Sequence, residues 1–326
     1  MMIVAVLDDF HGAFETDPAV QRLRSRAEVR VYTSALSTQE RARELADVEV
    51  VVALRERTRF DAAFFRDAPR LRMIAQTGGV GPHLDLDAAT RAGVLVTTAR
   101  QGSSTSTVEL TFALMLAVMR QVPQSDRNLR AGRWVVPYGR VLGGKTLGII
   151  GLGRIGREVA RLARAFGMQV LAWGRSLTPE LGAEVGAQAV SLEQLLAQSD
   201  VVSVHLALNS GTRGFLTEEK LRTMKPGAYF INTARGAIVD EAALVRLLVE
   251  GHLAGAGLDV FTEEPLPAES PLVQLENVVL TPHVGWPADA SYAGFAEAVV
   301  RNIEAYMDGQ PTNLVNPEAR TYQKAE

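Results

Sequence analysis

The chain has 326 residues, more than one hydrophobic core usually organises, so two domains of ordinary size are expected. Its 47% hydrophobic and 22% charged residues exclude a globally disordered or fibrous chain, and 34 Lys plus Arg against 37 Asp plus Glu, a net charge of -3, exclude a bulk pull onto nucleic acid or an anionic membrane. With no cysteine, a disulfide framework, a thiolate zinc site, an iron–sulfur cluster and a cysteine nucleophile fall away together.

The opening MMIVAVLDDF is apolar to Leu7 and then acidic, unlike a secretory signal, and no apolar run reaches the roughly 18 residues of a membrane span, so a cytoplasmic protein is expected. Short Val, Ile and Leu runs then alternate with segments of helical period, the pattern of a parallel sheet covered by helices, which makes the fold class α/β. Strands are predicted at 3–7, 29–32, 48–54, 71–76 and 94–97, with helices such as 38–46 between them. Residues 106–120 are apolar on too many faces for one stripe and too short to span a bilayer, which predicts a buried connecting helix. After a loop-rich stretch containing Trp134 and Pro137, a second strand series is predicted at 147–150, 169–173, 201–206, 228–232, 257–260 and 278–281, followed by a long helix over 290–307. The domain boundary is placed near residue 103.

Gly151, Gly153 and Gly156 form a G-x-G-x-x-G that follows a predicted strand and opens a helix. There the first glycine makes a tight turn, the second admits a pyrophosphate to the backbone, and the third lets helix and strand pack closely. A dinucleotide site is expected. At the end of the next strand, where an acid would bind the ribose 2′-hydroxyl of NAD, the chain has Gly174, Arg175 and Ser176, so NADP(H) is favoured over NAD(H). GRVLGGKT (139–146) matches the P-loop pattern, but a strand rather than a helix follows it, so a nucleoside-triphosphate site is rejected. Gly79 and Gly81 open a turn able to offer N–H groups to a small anion. The histidines at 11, 83, 205, 252 and 283 show no metal-binding spacing, and no metal is expected.

Several ordered motifs resemble the D-isomer-specific 2-hydroxyacid dehydrogenases: LRERTRF (54–60), GLGRIG (151–156), VSVHLALNSGTRG (202–214), MKPGAYFINTARGAIVDEAAL (224–244), AGLDVFTEEPL (256–266) and TPHVGW (281–286). The resemblance covers nearly the whole chain. It implies two open parallel-sheet domains: a smaller, flavodoxin-like substrate domain from 1–102 and 287–326, and a Rossmann dinucleotide-binding domain over 103–286 with a helical dimerisation arm near 121–141. It implies a homodimer that moves a hydride between a nicotinamide cofactor and a small D-2-hydroxy acid or 2-keto acid.

Carried over position by position, the resemblance implies Arg235, Glu264 and His283 as the catalytic set. The residue types suit the chemistry: histidine titrates near neutrality and can pass a proton to and from the C2 oxygen, and a carboxylate beside it holds the ring and favours its charged form. A guanidinium fork suits the substrate carboxylate and C2 oxygen. The implied substrate contacts also include Gly78, Gly79 and Arg55 or Arg57. Implied cofactor contacts beyond the glycines are Arg154, Ile155, His205, Thr212, Thr233, Ala234, Asp259 and Gly285. Three features depart from the family pattern, namely Trp286 where a small residue is frequent and Pro82 with His83 in the turn after the fourth strand. The alternative reading is an NAD(H)-sensing, co-repressor-like binding protein on the same fold.

Overall fold

The computed structural model of the chain describes residues 1–99 and 104–322, and the boundary expected at 102–103 lies outside the described residues. The chain divides into two compact units, Met1–Ser103 with Pro287–Glu326, and Ser104–Trp286.

In the first unit, runs such as IVAVL and VVVA present β-branched side chains to both faces, which suits strands covered on both sides. They form β1 (Ile3–Leu7), β2 (Glu28–Val31), β3 (Val50–Ala53), β4 (Met73–Thr77) and β5 (Leu95–Ala99), paired in parallel in the order β2-β1-β3-β4-β5. This is the flavodoxin-like order, whose direction reverses between β1 and β3, so a crevice opens beyond the carboxyl ends of those two strands. Side chains of Asp17, Ser37, Asp61 and Asp85 cap the helices that follow the first four strands by accepting first-turn N–H groups. The helix Asp289–Met307 packs on helix Pro18–Arg24 and across β4 and β5.

The second unit holds β6 (Thr146–Ile150), β7 (Gln169–Trp173), β8 (Gln188–Ala189), β9 (Val201–Val204), β10 (Ala228–Asn232), β11 (Leu253–Leu258) and β12 (Val278–Leu280). They pair in parallel in the order β12-β11-β10-β9-β6-β7-β8. Counted from β6 this is the dinucleotide-binding order with one further strand, and it reverses between β6 and β9, the switch point at which such sheets bind ligands. The α/β fold expected from the sequence is the one observed. Leu147, Ile149 and Ile150 of β6 are fully buried, each stabilising the fold by roughly 1.5–3 kcal/mol, so the turn after β6 starts from a rigid base. Helix Thr105–Met119 buries Val108, Phe112, Met115 and Val118 over this sheet, as predicted for 106–120.

Two strands stand out from expectation: β8 is not predicted, and β11 is displaced. β11 runs Leu253–Leu258 rather than 257–260, because Gly255 and Gly257, which weaken strand propensity, are where other groups press on the strand. A Cβ on Gly257 would stand 2.9 Å from Cβ of Leu114, and one on Gly255 2.6 Å from the Asn277 carbonyl oxygen. Val122–Arg130 is a helix within the arm implied near 121–141, followed by a segment without regular structure, in the stretch read as loop-rich, that exposes Trp134, Val136 and Tyr138. No helix among the described residues is long and apolar enough to cross a membrane.

Candidate active site

The carboxyl edge of the larger sheet carries the glycine turn. Register aligns Ile150 with Trp173 and Val204, so the residues after β6, β7 and β9 emerge side by side. Gly151 has φ 104 and donates its N–H to the Trp173 carbonyl at 2.8 Å; a Cβ there would stand 2.8 Å from the His205 carbonyl oxygen. A Cβ on Gly156 would run into the Gly151 carbonyl, so helix Arg154–Ala165 packs on the turn only because position 156 is bare. Gly153 caps that helix with no side-chain hydrogen bond, and among the described residues no heavy atom crowds its Cβ position. The helix thus begins at an uncrowded position, and its first-turn N–H groups, which have no carbonyl acceptor within the helix, sit at its positive end, which fits a diphosphate.

Beyond β7, Gly174 leads into Arg175 and Ser176, both exposed. The Arg175 guanidinium lies along Gly211, where a Cβ would stand 2.6 Å from Nη2. His205, after β9, is hydrogen-bonded through Nε2 to Ser203 Oγ at 2.8 Å, and burial lowers its pKa to about 4. An unfolded histidine titrates near 6.5, so the folded chain binds fewer protons between these values. This contribution to stability is complete above pH 6.5 and is lost as pH falls toward 4. Because the ring is partly accessible, His205→Gln is expected to remove between about 1 and 3 kcal/mol of acid destabilisation, read as a flatter Tm-against-pH curve below pH 6.5. An unchanged curve would contradict the assignment.

Thr212 and Thr233 are buried, with their hydroxyls engaged internally. Thr212 Oγ1 donates to the Ala207 carbonyl at 2.7 Å, and Thr233 Oγ1 meets Thr111 Oγ1 at 2.9 Å. Sequence reasoning passed over Asn232, which is buried at the end of β10 and accepts the Ala234 N–H at 3.0 Å while donating to the Arg235 carbonyl at 3.1 Å. It thereby pins both sides of the turn carrying the exposed Arg235, whose Nη1 donates to the Ala234 carbonyl at 2.7 Å.

Gly236 was also missed. A Cβ on it would overlap the carbonyl of Phe261, so the Arg235 turn rests backbone to backbone on the loop after β11. The Phe261 N–H donates to Glu264 Oε1 at 3.0 Å, and Glu264 Oε2 lies 2.7 Å from His283 Nδ1. An ionised carboxylate only accepts, so Nδ1 carries the proton of a neutral ring and Nε2 is left as the basic nitrogen. The His283 and Glu264 side chains are 31% and 36% exposed, enough to meet a small molecule.

His283 has φ 55, and its N–H donates to the carbonyls of Asp259 (2.9 Å) and Thr281 (3.0 Å). The buried Asp259 carboxylate accepts from Thr281 Oγ1 at 2.5 Å, Val284 N–H at 2.8 Å and Gly285 N–H at 2.9 Å. Burial raises the Asp259 pKa, and those three donors oppose the rise. Gly285, expected among the cofactor contacts, is buried, gives its N–H to Asp259 and accepts Thr107 Oγ1 at its carbonyl at 2.8 Å.

In the smaller unit, Arg55 and Gly78 are brought together, since a Cβ on Gly78 would overlap Arg55 Nη1. The expectation that Gly78 supplies an amide to an anion is corrected, because its N–H donates to the Ala99 carbonyl at 2.7 Å. Gly79 is only partly buried and no heavy atom among the described residues crowds its Cβ position. Arg57 instead bonds the Asp8 carbonyl at 2.7 Å and Tyr292 Oη at 3.0 Å. Among the described residues no group of three or more His, Asp or Glu is arranged to hold a metal ion.

Residues 112–285 match a family model described as D-isomer specific 2-hydroxyacid dehydrogenase, NAD binding domain. A glyoxylate reductase of Thermococcus litoralis is 42% identical over 271 residues, covering 80% of this chain and 82% of the relative. The crystal structure of a phosphoglycerate oxidoreductase from Vibrio cholerae superposes with TM-score 0.83 at 35% identity, covering 95% of this chain and 100% of the other. An acyclic imino acid reductase in complex with NADPH and D-Arg superposes with TM-score 0.76 at 27% identity, covering 96% and 100%.

Proposed function

This chain belongs to the D-isomer-specific 2-hydroxyacid dehydrogenase family, and from that premise we propose that it reduces small 2-keto acids to D-2-hydroxy acids, with His283 as acid/base, Glu264 as its support and Arg235 as the substrate anchor. The observation that carries this reading is the 2.7 Å pairing of His283 Nδ1 with Glu264 Oε2, which leaves Nε2 to exchange a proton. The nicotinamide, when bound, supplies the hydride that the keto carbon takes up. His283 then delivers the proton that turns the C2 oxygen into a hydroxyl, and Glu264 offsets the positive charge the ring carries before that transfer. Arg235 presents forked donors suited to the C1 carboxylate and C2 oxygen, and within the smaller unit Arg55 and the Gly79 amide have the chemistry to bind a carboxylate. We assign the smaller unit to substrate and the larger to dinucleotide.

Glyoxylate is the first substrate to try, given the relatives, followed by hydroxypyruvate, pyruvate, phenylpyruvate and 3-phosphohydroxypyruvate, each with NADH and NADPH. Turnover of at least one 2-keto acid is the expected result. Tight dinucleotide binding with no turnover of any would overturn the reading and favour a sensor.

NADPH is proposed as the preferred cofactor, since Arg175 and Ser176 stand exposed beyond β7 with no carboxylate in the turn. Arg175→Ala is expected to raise KM for NADPH about 10- to 100-fold, the worth of a charge-assisted hydrogen bond, with KM for NADH little changed. Equal effects on both would remove the preference. The exposed Trp134, Val136 and Tyr138 belong to the arm proposed to pair two copies into a homodimer.

A further inference from the structure

The loop after β3 holds Arg55 in the left-handed region, φ 58, which an arginine adopts only when its surroundings impose it. Both of its backbone polar groups are tied to the end of β4. Its N–H donates to Thr77 Oγ1 at 2.8 Å, and its carbonyl accepts from Gln76 Nε2 at 2.9 Å. The Thr77 hydroxyl donates in turn to the Ala53 carbonyl at 3.0 Å.

Gln76 is fully buried, and its Nε2 gives a second hydrogen bond to the Thr77 carbonyl at 2.9 Å. Both bonds run to carbonyls, which fixes the orientation of the amide and leaves Oε1 as an acceptor only. The partner of Oε1 is His83 Nε2 at 3.2 Å, so that nitrogen carries the ring proton. The other ring nitrogen, Nδ1, is buried with no hydrogen-bond partner among the described residues, and a Cβ on Gly81 would stand 3.2 Å from it. A buried, unpartnered Nδ1 suits the lone pair of a neutral ring, and burial disfavours a second proton on it.

We propose that His83 is a positioning residue for substrate binding: its Nε2–H fixes the Gln76 amide, which holds Arg55 in its left-handed conformation and so keeps the guanidinium along Gly78, beside the open Gly79 amide. The ligand served is the planar carboxylate of a 2-keto acid, and the inference rests on the reading above that Arg55 helps to bind it. The relay reaches the guanidinium only through the Arg55 backbone, so its loss affects how substrate is held rather than how hydride or proton moves.

Two polar replacements separate this from simple packing against Phe60, whose ring lies 6.5 Å from that of His83. The amide N–H of glutamine lies the same number of bonds from Cα as Nε2, whereas the amide of asparagine falls one bond short, at the place of Nδ1. Steady-state kinetics of 2-keto acid reduction are expected to show His83→Asn raising KM for the keto acid about 10-fold, the worth of one hydrogen bond, with kcat and KM for the nicotinamide within about twofold of wild type. His83→Gln is expected to restore KM. Equal KM values for the two variants, or losses confined to kcat and Tm, would overturn the proposal. Arg55→Ala, measured alongside, distinguishes the failures. If it leaves KM unchanged, the role of Arg55 falls and the relay with it; if it raises KM while both His83 variants behave as wild type, only the relay falls.

Discussion

His283→Ala is expected to slow 2-keto acid reduction by about 10²- to 10⁴-fold, the usual worth of a positioned general acid, while cofactor affinity stays within about twofold. The size follows from what the ring does and what remains without it. Nδ1 is fixed by Glu264 at 2.7 Å, and the backbone is held in the left-handed region by N–H bonds to the carbonyls of Asp259 and Thr281. The imidazole is thus presented at one angle, and among the described residues no second imidazole is hydrogen-bonded to Glu264 to take over. The hydrogen bonds of His283 run to Glu264, Asp259 and Thr281, none of which lies in the glycine turn between Gly151 and Gly156, so dinucleotide binding is expected to stay intact. Fluorescence titration with NADPH beside steady-state rates checks both halves. A variant that keeps wild-type kcat would remove His283 from the chemistry.

Gly236→Ala is expected to lower kcat/KM by about 10²-fold or more and to destabilise the protein by about 1–3 kcal/mol. The added Cβ meets backbone, the Phe261 carbonyl and, at 2.5 Å, its Cα, so no side-chain rotation relieves it. Either the Arg235 turn or the Phe261–Glu264 loop must move. Asn232 ties down the first through Ala234 and Arg235, and Glu264 ties the second to His283. Displacing either by even 1 Å separates the guanidinium from the imidazole, the kind of misplacement that costs orders of magnitude in rate. Thermal melts and kinetics test this together, and a variant with wild-type kcat/KM would show that the Gly236 contact does not set the geometry.

What could be read without coordinates was local. β6, the glycine turn and its helix lie within twenty residues, and the apolar runs of most strands and the all-round apolar character of helix Thr105–Met119 are strong signals. The strand ends were less legible, and β11 was misplaced because its glycines are required by neighbours such as Leu114 and Asn277 that lie far along the chain. The helix Val122–Arg130 is polar and short and was legible only as part of the helical arm the resemblance implies, and the two residues of β8 are too few to leave a periodic signal.

The site was legible in part, and for a similar reason. Arg235, Glu264 and His283 were nameable through ordered motifs, yet nothing in their spacing says that Gly236 must seat on Phe261 or that Asn232 clamps the turn. Those are contacts between loops, determined by the register of β10 against β11. Gly78 shows the converse error: a glycine in an anion-ready turn looked like a donor, while its N–H was already engaged by Ala99.

A double-mutant cycle on the rate of 2-keto acid reduction, using His283→Ala, Glu264→Gln and the double variant, tests most directly whether Glu264 works through His283. The predicted result is that Glu264→Gln slows the enzyme when histidine is present and changes nothing further once alanine has replaced it. Equal, independent losses in the two backgrounds would contradict the account.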